Sequence, residues 1–179
     1  YSMSVKALFD LTGKTALITG GSRGLGLQMA EALGEMGARL AITARKSDEL
    51  AEAKAHLQGL GYQVETFAND LQKFDTIPAL VEDVLARCGD IDILVNNAGI
   101  NMKRPAVEVS DDDFANIINV NLNAVFSLTR EVGKHMLERG KGSIIMISSM
   151  AAWMPHSMAV AEVLVLMPKA SSKPIHTGG

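Results

Sequence analysis

Two hydrophobic patterns alternate along the chain. In one, apolar and β-branched residues follow one another directly, as in a strand buried within a sheet. In the other, apolar residues recur every three or four positions, as on one face of a helix. The first pattern predicts strands at Thr15–Thr19, Arg39–Thr43, Gln63–Phe67, Ile91–Val95 and Gly142–Ser148. The second predicts helices at Leu25–Met36, Ser47–Leu60, Ile77–Cys88 and Ser110–Arg139.

Residues that favour helix starts stand at the head of two predicted helices. Ser47 is expected to cap one of them, and Ser110 the longest one, where Asp113 follows three residues later as in a capping box. The longest helix carries apolar residues on more than one face, including Val120, Ala124 and Leu128. Two interpretations stay open: all of them belong to the core, or one face meets a partner subunit.

Strands that alternate with helices at this spacing are typical of βαβ units, whose right-handed crossovers build a parallel sheet. We therefore predict an α/β fold with a doubly wound, Rossmann-like parallel sheet. It is expected to be incomplete at the C-terminal end, because the doubly wound plan uses six or more strands and five are predicted. Residues 1–152 form the predicted domain, and residues 153–179 an atypical tail.

Composition and charge exclude several classes of protein. The 179 residues carry 17 Lys and Arg against 20 Asp and Glu, a net charge of −3, which argues against nucleic-acid binding. Cys88 is the single cysteine, so neither a disulfide framework nor a cysteine-based metal site is expected. No apolar run is long enough to cross a membrane, and no signal peptide is recognisable. These features favour a soluble, cytoplasmic protein without a metal.

A glycine-rich turn joins the first predicted strand to the first predicted helix. Its sequence from Thr19 to Gly26 is Thr-Gly-Gly-Ser-Arg-Gly-Leu-Gly. Glycines allow the backbone to approach a pyrophosphate, and the helix N-terminus then offers free N–H groups and the positive end of its dipole. The alternative is a tight turn without a ligand, but the strand–turn–helix context favours a dinucleotide-binding domain over residues 1–152.

The glycine spacing and a second motif together resemble the short-chain dehydrogenase/reductase family in its classical branch. The glycines follow a Gly-x-x-x-Gly-x-Gly pattern, and Asn96-Asn97-Ala98-Gly99 follows the fourth predicted strand. Asn119–Leu122 and Ser148-Ser149 strengthen the resemblance, which extends over roughly Leu8 to Ala152. Within the family, the chain is similar to the gluconate 5-dehydrogenase and 3-oxoacyl-carrier-protein reductase group.

The resemblance implies a nicotinamide cofactor, and the charges around the second strand favour NADP over NAD. An NAD enzyme places an acid at the end of this strand to hold the ribose 2′-hydroxyl. Here Ala44 stands at that position and Arg45 and Lys46 follow it, while Arg23 lies in the glycine turn. Guanidinium groups suit a 2′-phosphate. The alternative is that Arg45 and Lys46 merely begin a solvated loop.

Further cofactor contacts follow from the resemblance. Asp70 matches the residue that holds the adenine amino group, unless it is only a helix N-cap. Asn97, Ala98 and Gly99 are expected beside the ribose, unless they serve only the turn after the strand. The complete set of predicted cofactor-binding residues is Gly20, Ser22, Arg23, Gly24, Leu25, Gly26, Arg45, Asp70, Leu71, Asn97, Ala98 and Gly99.

The resemblance also implies catalytic roles for Asn121 and Ser149. In the family, Ser holds the substrate oxygen, Asn helps a proton-relay water, and a Tyr whose pKa is lowered by Lys moves the proton. The implied partners are a small alcohol or carbonyl substrate and, for a complete member, further copies of the chain in a homo-oligomer. The alternatives are that Asn121 bends its long helix and that Ser149 is an ordinary polar residue at a strand end.

One family motif, Tyr-x-x-x-Lys, has no counterpart after Ser149. The two tyrosines are Tyr1 and Tyr62, and the lysines after residue 149 are Lys169 and Lys173. Three explanations stay open: a truncated or frame-shifted chain, a sequence that lacks intervening segments, or a pseudo-enzyme. The predicted function is therefore an NADP-dependent oxidoreductase, with a cofactor-binding module without turnover as the alternative.

Overall fold

Strands and helices alternate in the computed structural model, which describes residues 5–149. The strands are β1 (Thr15–Thr19), β2 (Arg39–Ala44), β3 (Val64–Ala68), β4 (Ile93–Asn96) and β5 (Ser143–Met146). The helices are α1 (Val5–Leu8), α2 (Gly24–Glu35), α3 (Ser47–Gly59), α4 (Ile77–Cys88), α5 (Asp111–Ile118) and α6 (Val125–Glu138). The predicted tail 153–179 lies outside the described residues.

All strand pairs are parallel, in the order β3-β2-β1-β4-β5. The predicted fold class is confirmed. The strand order reverses between β1 and β4, since β2 and β3 lie on one side of β1 whereas β4 and β5 lie on the other. Ligands of such sheets bind at this point, outside the carboxyl ends of the strands.

Helices cover the sheet on both faces, because successive strand side chains point to opposite sides. On one face, Leu17 and Leu94 pack with Val81 of α4 and Leu128 of α6. On the other, Ile18 and Ile42 and further strand residues pack with α2 and α3 through Ala30, Leu50, Ala53 and Leu57. The core thus consists of two layers around β1, which is buried along its whole length.

The longest predicted helix, Ser110–Arg139, is not one continuous α-helix. Ser110 caps it as predicted, since its Oγ accepts a hydrogen bond from the Asp113 N–H at 3.1 Å. Between α5 and α6, however, Asn119–Ala124 forms a π-helical stretch. Such a widened turn rotates the side chains that follow it, a change that periodicity alone does not show.

The burial of the apolar residues on this helix decides between the two interpretations that the sequence left open. Val120, Ala124 and Leu128 are all buried, so the interpretation that they belong to the core is confirmed. Phe126 and Leu137 remain exposed instead.

Two local expectations are wrong. Ser47 does not cap α3: Lys46 occupies the N-cap position, and Ser47 is the first helical residue. The last strand is shorter than predicted, and among the strands that the structure describes it lies at the edge, where Ile144 and Ile145 are 37% and 40% exposed.

Candidate cofactor cavity

The glycine-rich turn brings the start of α2 against the end of β1. Gly20 and Gly24 have positive φ values of 63° and 55°, which glycine adopts without strain. At Gly26 a Cβ atom would collide with the Gly20 carbonyl oxygen and lie 2.6 Å from Asn97 Nδ2. The glycines therefore serve the close approach of helix and strand.

The N-terminus of α2 is left open toward solvent and ligand. Its N-cap residue, Arg23, is extended and forms no side-chain cap, and no acidic residue lies in the first turn. The first backbone N–H groups of a helix lack partners within the helix. This N-terminus can therefore bind an anion.

The end of β4 is held to the end of β1 by Thr19. Thr19 Oγ1 accepts hydrogen bonds from the N–H groups of Asn97 and Ala98 at 3.0 and 2.9 Å, and donates to the Val95 carbonyl at 3.3 Å. In return, Asn97 Nδ2 donates to the Thr19 carbonyl at 3.0 Å. Both the side-chain Nδ2 and the backbone N–H of Asn97 are therefore engaged in joining the two strand ends.

Asn121 lies in the π-helical stretch and holds the segment after β4. Its Oδ1 accepts from the Ile100 N–H at 2.9 Å, and its Nδ2 donates to the Ile100 carbonyl at 2.8 Å. The structure thus gives its side chain a positioning role. Ser149 is exposed, three residues beyond β5.

A cavity of about 310 Å³ opens at the carboxyl ends of the strands. All of the predicted cofactor-binding residues except Leu25 and Gly26 line it; Leu25 is 65% exposed, and Gly26 packs beneath the turn. Neither Asn121 nor Ser149 is among its lining residues. The residues that line it are Gly20, Ser22, Arg23, Gly24, Thr43, Ala44, Arg45, Lys46, Glu49, Asn69, Asp70, Leu71, Gln72, Asn97, Ala98, Gly99, Ile100 and Val120.

One side of the cavity is basic, but a carboxylate lies among the cations. Glu49 of α3 contacts Lys46 Nζ at 2.8 Å, Ser22 Oγ at 3.3 Å and Arg23 Nη1 at 3.7 Å. The hydrogen bond from Lys46 lowers the pKa of Glu49, and the positive charge of Arg23 adds to the effect. Sequence reasoning missed Glu49, although its spacing of three residues from Lys46 could have indicated the pair.

The cavity also offers hydrogen-bond acceptors, beside the end of β2. Thr43 Oγ1 and Asn69 Oδ1 are buried and have no hydrogen-bond partner among residues 5–149. Asp70 Oδ1 accepts a bond from the Gln72 N–H at 3.2 Å. Asp70 is not a helix N-cap, because Lys73 holds that position at the following 3₁₀ turn, Phe74–Thr76. Its second carboxylate oxygen can accept from a ligand.

No group of three His, Cys, Asp or Glu residues within residues 5–149 is placed to hold a metal ion. None of the helices in the same range combines the length and apolar character needed to cross a membrane.

Comparisons with known proteins agree with these features. The model of the short chain dehydrogenase family matches residues 14–161. The chain is 37% identical over 147 residues to a gluconate 5-dehydrogenase of Gluconobacter oxydans, and the aligned region covers 82% of this chain and 57% of that protein. It is 41% identical over 146 residues to a 5-keto-D-gluconate 5-reductase of Escherichia coli, covering 80% and 56% respectively. The chain therefore spans little more than half the length of these relatives.

Solved structures give the same result. A gluconate 5-dehydrogenase from Burkholderia cenocepacia, in complex with NADP and tartrate, superposes with a TM-score of 0.83 at 34% identity. The match covers 89% of this chain and 62% of that one. A 3-oxoacyl (acyl-carrier-protein) reductase from Agrobacterium tumefaciens with NADP bound gives a TM-score of 0.84 at 29% identity, covering 89% and 62%.

Proposed function

Because the chain belongs to the short-chain dehydrogenase family, we propose that it binds NADP for hydride transfer between the nicotinamide and an alcohol or carbonyl substrate. The membership confirms the resemblance inferred from the glycine turn and the Asn-Asn-Ala-Gly segment. The observation that carries the proposal is the cavity at the carboxyl ends of the strands, which is lined by the uncapped start of α2 and by the cations Arg23, Arg45 and Lys46. Bound NADP would supply or accept the hydride.

The chain's own residues fit the phosphates of this cofactor. The N–H groups at the start of α2, which no side chain caps, would bind the pyrophosphate beside Gly20 and Gly24, which line the cavity. Arg23 and Arg45 line the cavity on the side where β2 ends, and Ala44 places no acid there. These two guanidinium groups would hold a 2′-phosphate by charge-assisted hydrogen bonds, which favours NADP over NAD.

The adenine and the nicotinamide ribose of the cofactor would meet further residues of the cavity. Asp70 and the unpartnered Asn69 Oδ1 offer acceptors for the adenine amino group, with Leu71 beside them as an apolar contact. The backbone of Asn97, Ala98 and Gly99 lies where the nicotinamide ribose would pass. The predicted contacts of Leu25 and Gly26 are then backbone contacts at the turn.

For the substrate, we propose a sugar acid or its keto form. Relatives named for gluconate and 5-keto-D-gluconate support this choice, as does the tartrate in the Burkholderia structure. Ser149 would hold the reacting oxygen, and Asn121 would position the segment after β4 near it. We also propose that a complete member of this kind acts as a homo-oligomer, for which the exposed Phe126 and Leu137 on α6 offer an apolar surface. We propose the cytoplasm as its location, with which the buried, free Cys88 is consistent.

The competing function is cofactor binding without turnover. The sequence supplies no tyrosine after Tyr62, so this chain has no phenol to follow Ser149 and transfer the proton. Under this competing function, the 179-residue chain binds NADPH and oxidises it no faster than background when 5-keto-D-gluconate is added. Robust NADPH consumption, measured by the loss of absorbance at the nicotinamide band, would show that another group moves the proton.

Binding of NADPH and NADH to the full 179-residue chain, followed by cofactor fluorescence, tests the cofactor proposal. Arg45→Ala is expected to weaken NADPH binding by about tenfold or more, because a charge-assisted bond to phosphate is lost, while NADH binding changes by less than about twofold. Lys141→Ala is the matched control, since it removes the same charge two residues before β5 and far from the cavity. Equal affinity of the wild-type chain for both cofactors would refute the NADP assignment.

A further inference from the structure

The Glu49 carboxylate lies in the part of the cavity that the proposed function assigns to a 2′-phosphate, among the basic residues of its lining. It reaches this place from the first turn of α3, while Arg23 comes from the glycine turn and Lys46 precedes the helix. Its Oε1 atom lies 2.8 Å from Lys46 Nζ and 3.7 Å from Arg23 Nη1, and its Oε2 atom accepts from Ser22 Oγ at 3.3 Å. Two of the cations that suit a phosphate are therefore already paired with a carboxylate.

Glu49 is better held than the cations around it. Its side chain is 24% exposed, whereas the side chains of Lys46 and Arg23 are 61% and 77% exposed. Ser22, which donates to it, is buried. The basic side chains can therefore swing toward a ligand, but the carboxylate stays at the cavity wall. The hydrogen bond from Lys46 lowers its pKa, so it is ionised at neutral pH.

A fixed carboxylate acts differently on the two forms of a ribose. A 2′-phosphate is repelled by the negative charge and has to compete with it for Lys46 and Arg23. A 2′-hydroxyl is a donor, and a carboxylate with four lone-pair sites has capacity for it beyond its present partners. NAD-binding sites use an acid in this way at the end of the second strand. Here Ala44 stands at that end, and α3 brings an acid to the same cavity.

We propose that Glu49 is a specificity-determining residue that lowers the preference of this site for a 2′-phosphate and allows it to accept an unphosphorylated ribose as well. The inference rests on the proposed function, since it assumes that the cavity binds an adenine dinucleotide. It assigns opposite effects to charges that line the same cavity: Arg23 and Arg45 favour the phosphate, and Glu49 opposes it.

The experiment compares 2′,5′-ADP with 5′-AMP as ligands of the full chain by isothermal titration calorimetry. Glu49→Gln keeps the size and one acceptor oxygen but removes the charge. It is expected to strengthen 2′,5′-ADP binding by about five- to tenfold, as for the loss of one like charge at a partly exposed site, with 5′-AMP binding unchanged or weaker. The gain should shrink at high salt. Glu49→Ala removes the same charge and should also raise the ratio of the two affinities.

Glu52→Gln is the matched control, because Glu52 is an exposed residue of the same helix that does not line the cavity. It should leave the ratio of the two affinities unchanged. An equal gain in the Glu52 and Glu49 variants would mean that only net charge matters, and would overturn the proposal. Weaker 2′,5′-ADP binding by Glu49→Gln would overturn it too, since the carboxylate would then orient the cations in favour of the phosphate.

The outcome for the wild-type chain separates this inference from the proposed function. Binding of neither ligand would refute both. Binding of 2′,5′-ADP together with an unchanged affinity ratio in the Glu49 variants would refute the role of Glu49 alone. A purely structural role at the start of α3 would lower the melting temperature without moving the ratio.

Discussion

The side chain of Asn121 satisfies both backbone groups of Ile100: Oδ1 accepts from the N–H at 2.9 Å and Nδ2 donates to the carbonyl at 2.8 Å. An amide is the side chain that can do this, because it has a donor and an acceptor side by side. The contact joins the π-helical stretch Asn119–Ala124 to the segment after β4. The contact therefore fixes Ile100, a lining residue of the cavity, although the π-helical stretch itself contributes only Val120 to the lining.

Asn121→Ala should loosen the segment after β4. Loss of both bonds is expected to lower the free energy of unfolding by about 1–3 kcal/mol and to weaken NADPH binding, because two partly buried backbone groups lose their partners. Urea unfolding and cofactor fluorescence measure the two effects. Asn123→Ala in the same stretch is the control: it removes only an exposed bond to Asn119, so unchanged binding is expected. Equal behaviour of the two variants would contradict the positioning role.

A pair of buried threonines allows a test of the joint between β1 and β4. Thr19→Val leaves the N–H groups of Asn97 and Ala98 without their acceptor, and should cost about 3 kcal/mol of stability. Thr43→Val removes a hydroxyl that has no hydrogen-bond partner among residues 5–149, so a change below about 0.5 kcal/mol is expected. Thermal or chemical unfolding of both variants provides the measurement. A similar loss of stability in both variants would show that the hydroxyl groups contribute through packing and not through hydrogen bonds.

Gly26→Ala should disrupt the close approach of α2 to β1. The added Cβ meets the Gly20 carbonyl and Asn97 Nδ2, which are held by the sheet, so a loss of about 3 kcal/mol and of cofactor binding is expected. Gly133→Ala in α6 is the counterpart, because nothing lies within 4 Å of its added Cβ. That variant should gain up to about 1 kcal/mol from helix propensity. Thermal unfolding of both variants, followed by circular dichroism, measures the two changes in stability. A stable Gly26→Ala variant that binds NADPH would contradict the packing argument.

Asp92 links β4 to the residues around it and should make stability depend on acid pH. Arg139 Nη2 lies 2.8 Å from Asp92 Oδ1, and the Thr15 N–H donates to Oδ2 at 3.1 Å. Burial alone would raise the pKa of Asp92, but these bonds and the charge of Lys14 outweigh it, so the pKa is lowered. The stabilising effect of ionised Asp92 is therefore complete at pH values above its pKa in the unfolded state, about 4. It is lost as pH falls through the lower pKa of Asp92 in the folded state.

Asp92→Asn should cost about 2–3 kcal/mol at pH 7, because Arg139 is 17% exposed and loses its buried partner. The difference from wild type should diminish below about pH 4. Asp90→Asn serves for comparison, since Asp90 is 64% exposed and also contacts Arg139; it should cost less than about 1 kcal/mol. Urea titrations between pH 3 and pH 7 give the profiles. A constant Asp92→Asn difference across that range would contradict the linkage.

The fold followed from local patterns to a large extent. Helix α4 has the predicted bounds, and β1 does as well, because each is bounded by a clear change of pattern. Capping was less predictable: Ser110 caps α5, whereas Ser47 lies one residue too late to cap α3. A serine satisfies the capping pattern at either position, but an N-cap residue must itself be non-helical: Ser110 is extended, whereas Ser47 is already the first residue of its helix.

Motifs likewise indicated most of the candidate site. The glycine turn, Arg23, Arg45 and Asn97 line one cavity because the strands that precede them are parallel and end at the same edge of the sheet. Glu49 was not foreseen, since a carboxylate in the first turn of a helix is common and is usually a capping charge.

By itself, the sequence determined the order and type of the elements, the glycine turn and the absence of a tyrosine after Tyr62. These depend on residue types at neighbouring positions. Only the tertiary structure decided that Asn121 holds Ile100, that Thr19 joins two strand ends, and that Glu49 lies between Arg23 and Lys46. Most of these contacts join residues far apart in the chain, and all of them depend on backbone paths and side-chain directions, which periodicity does not specify.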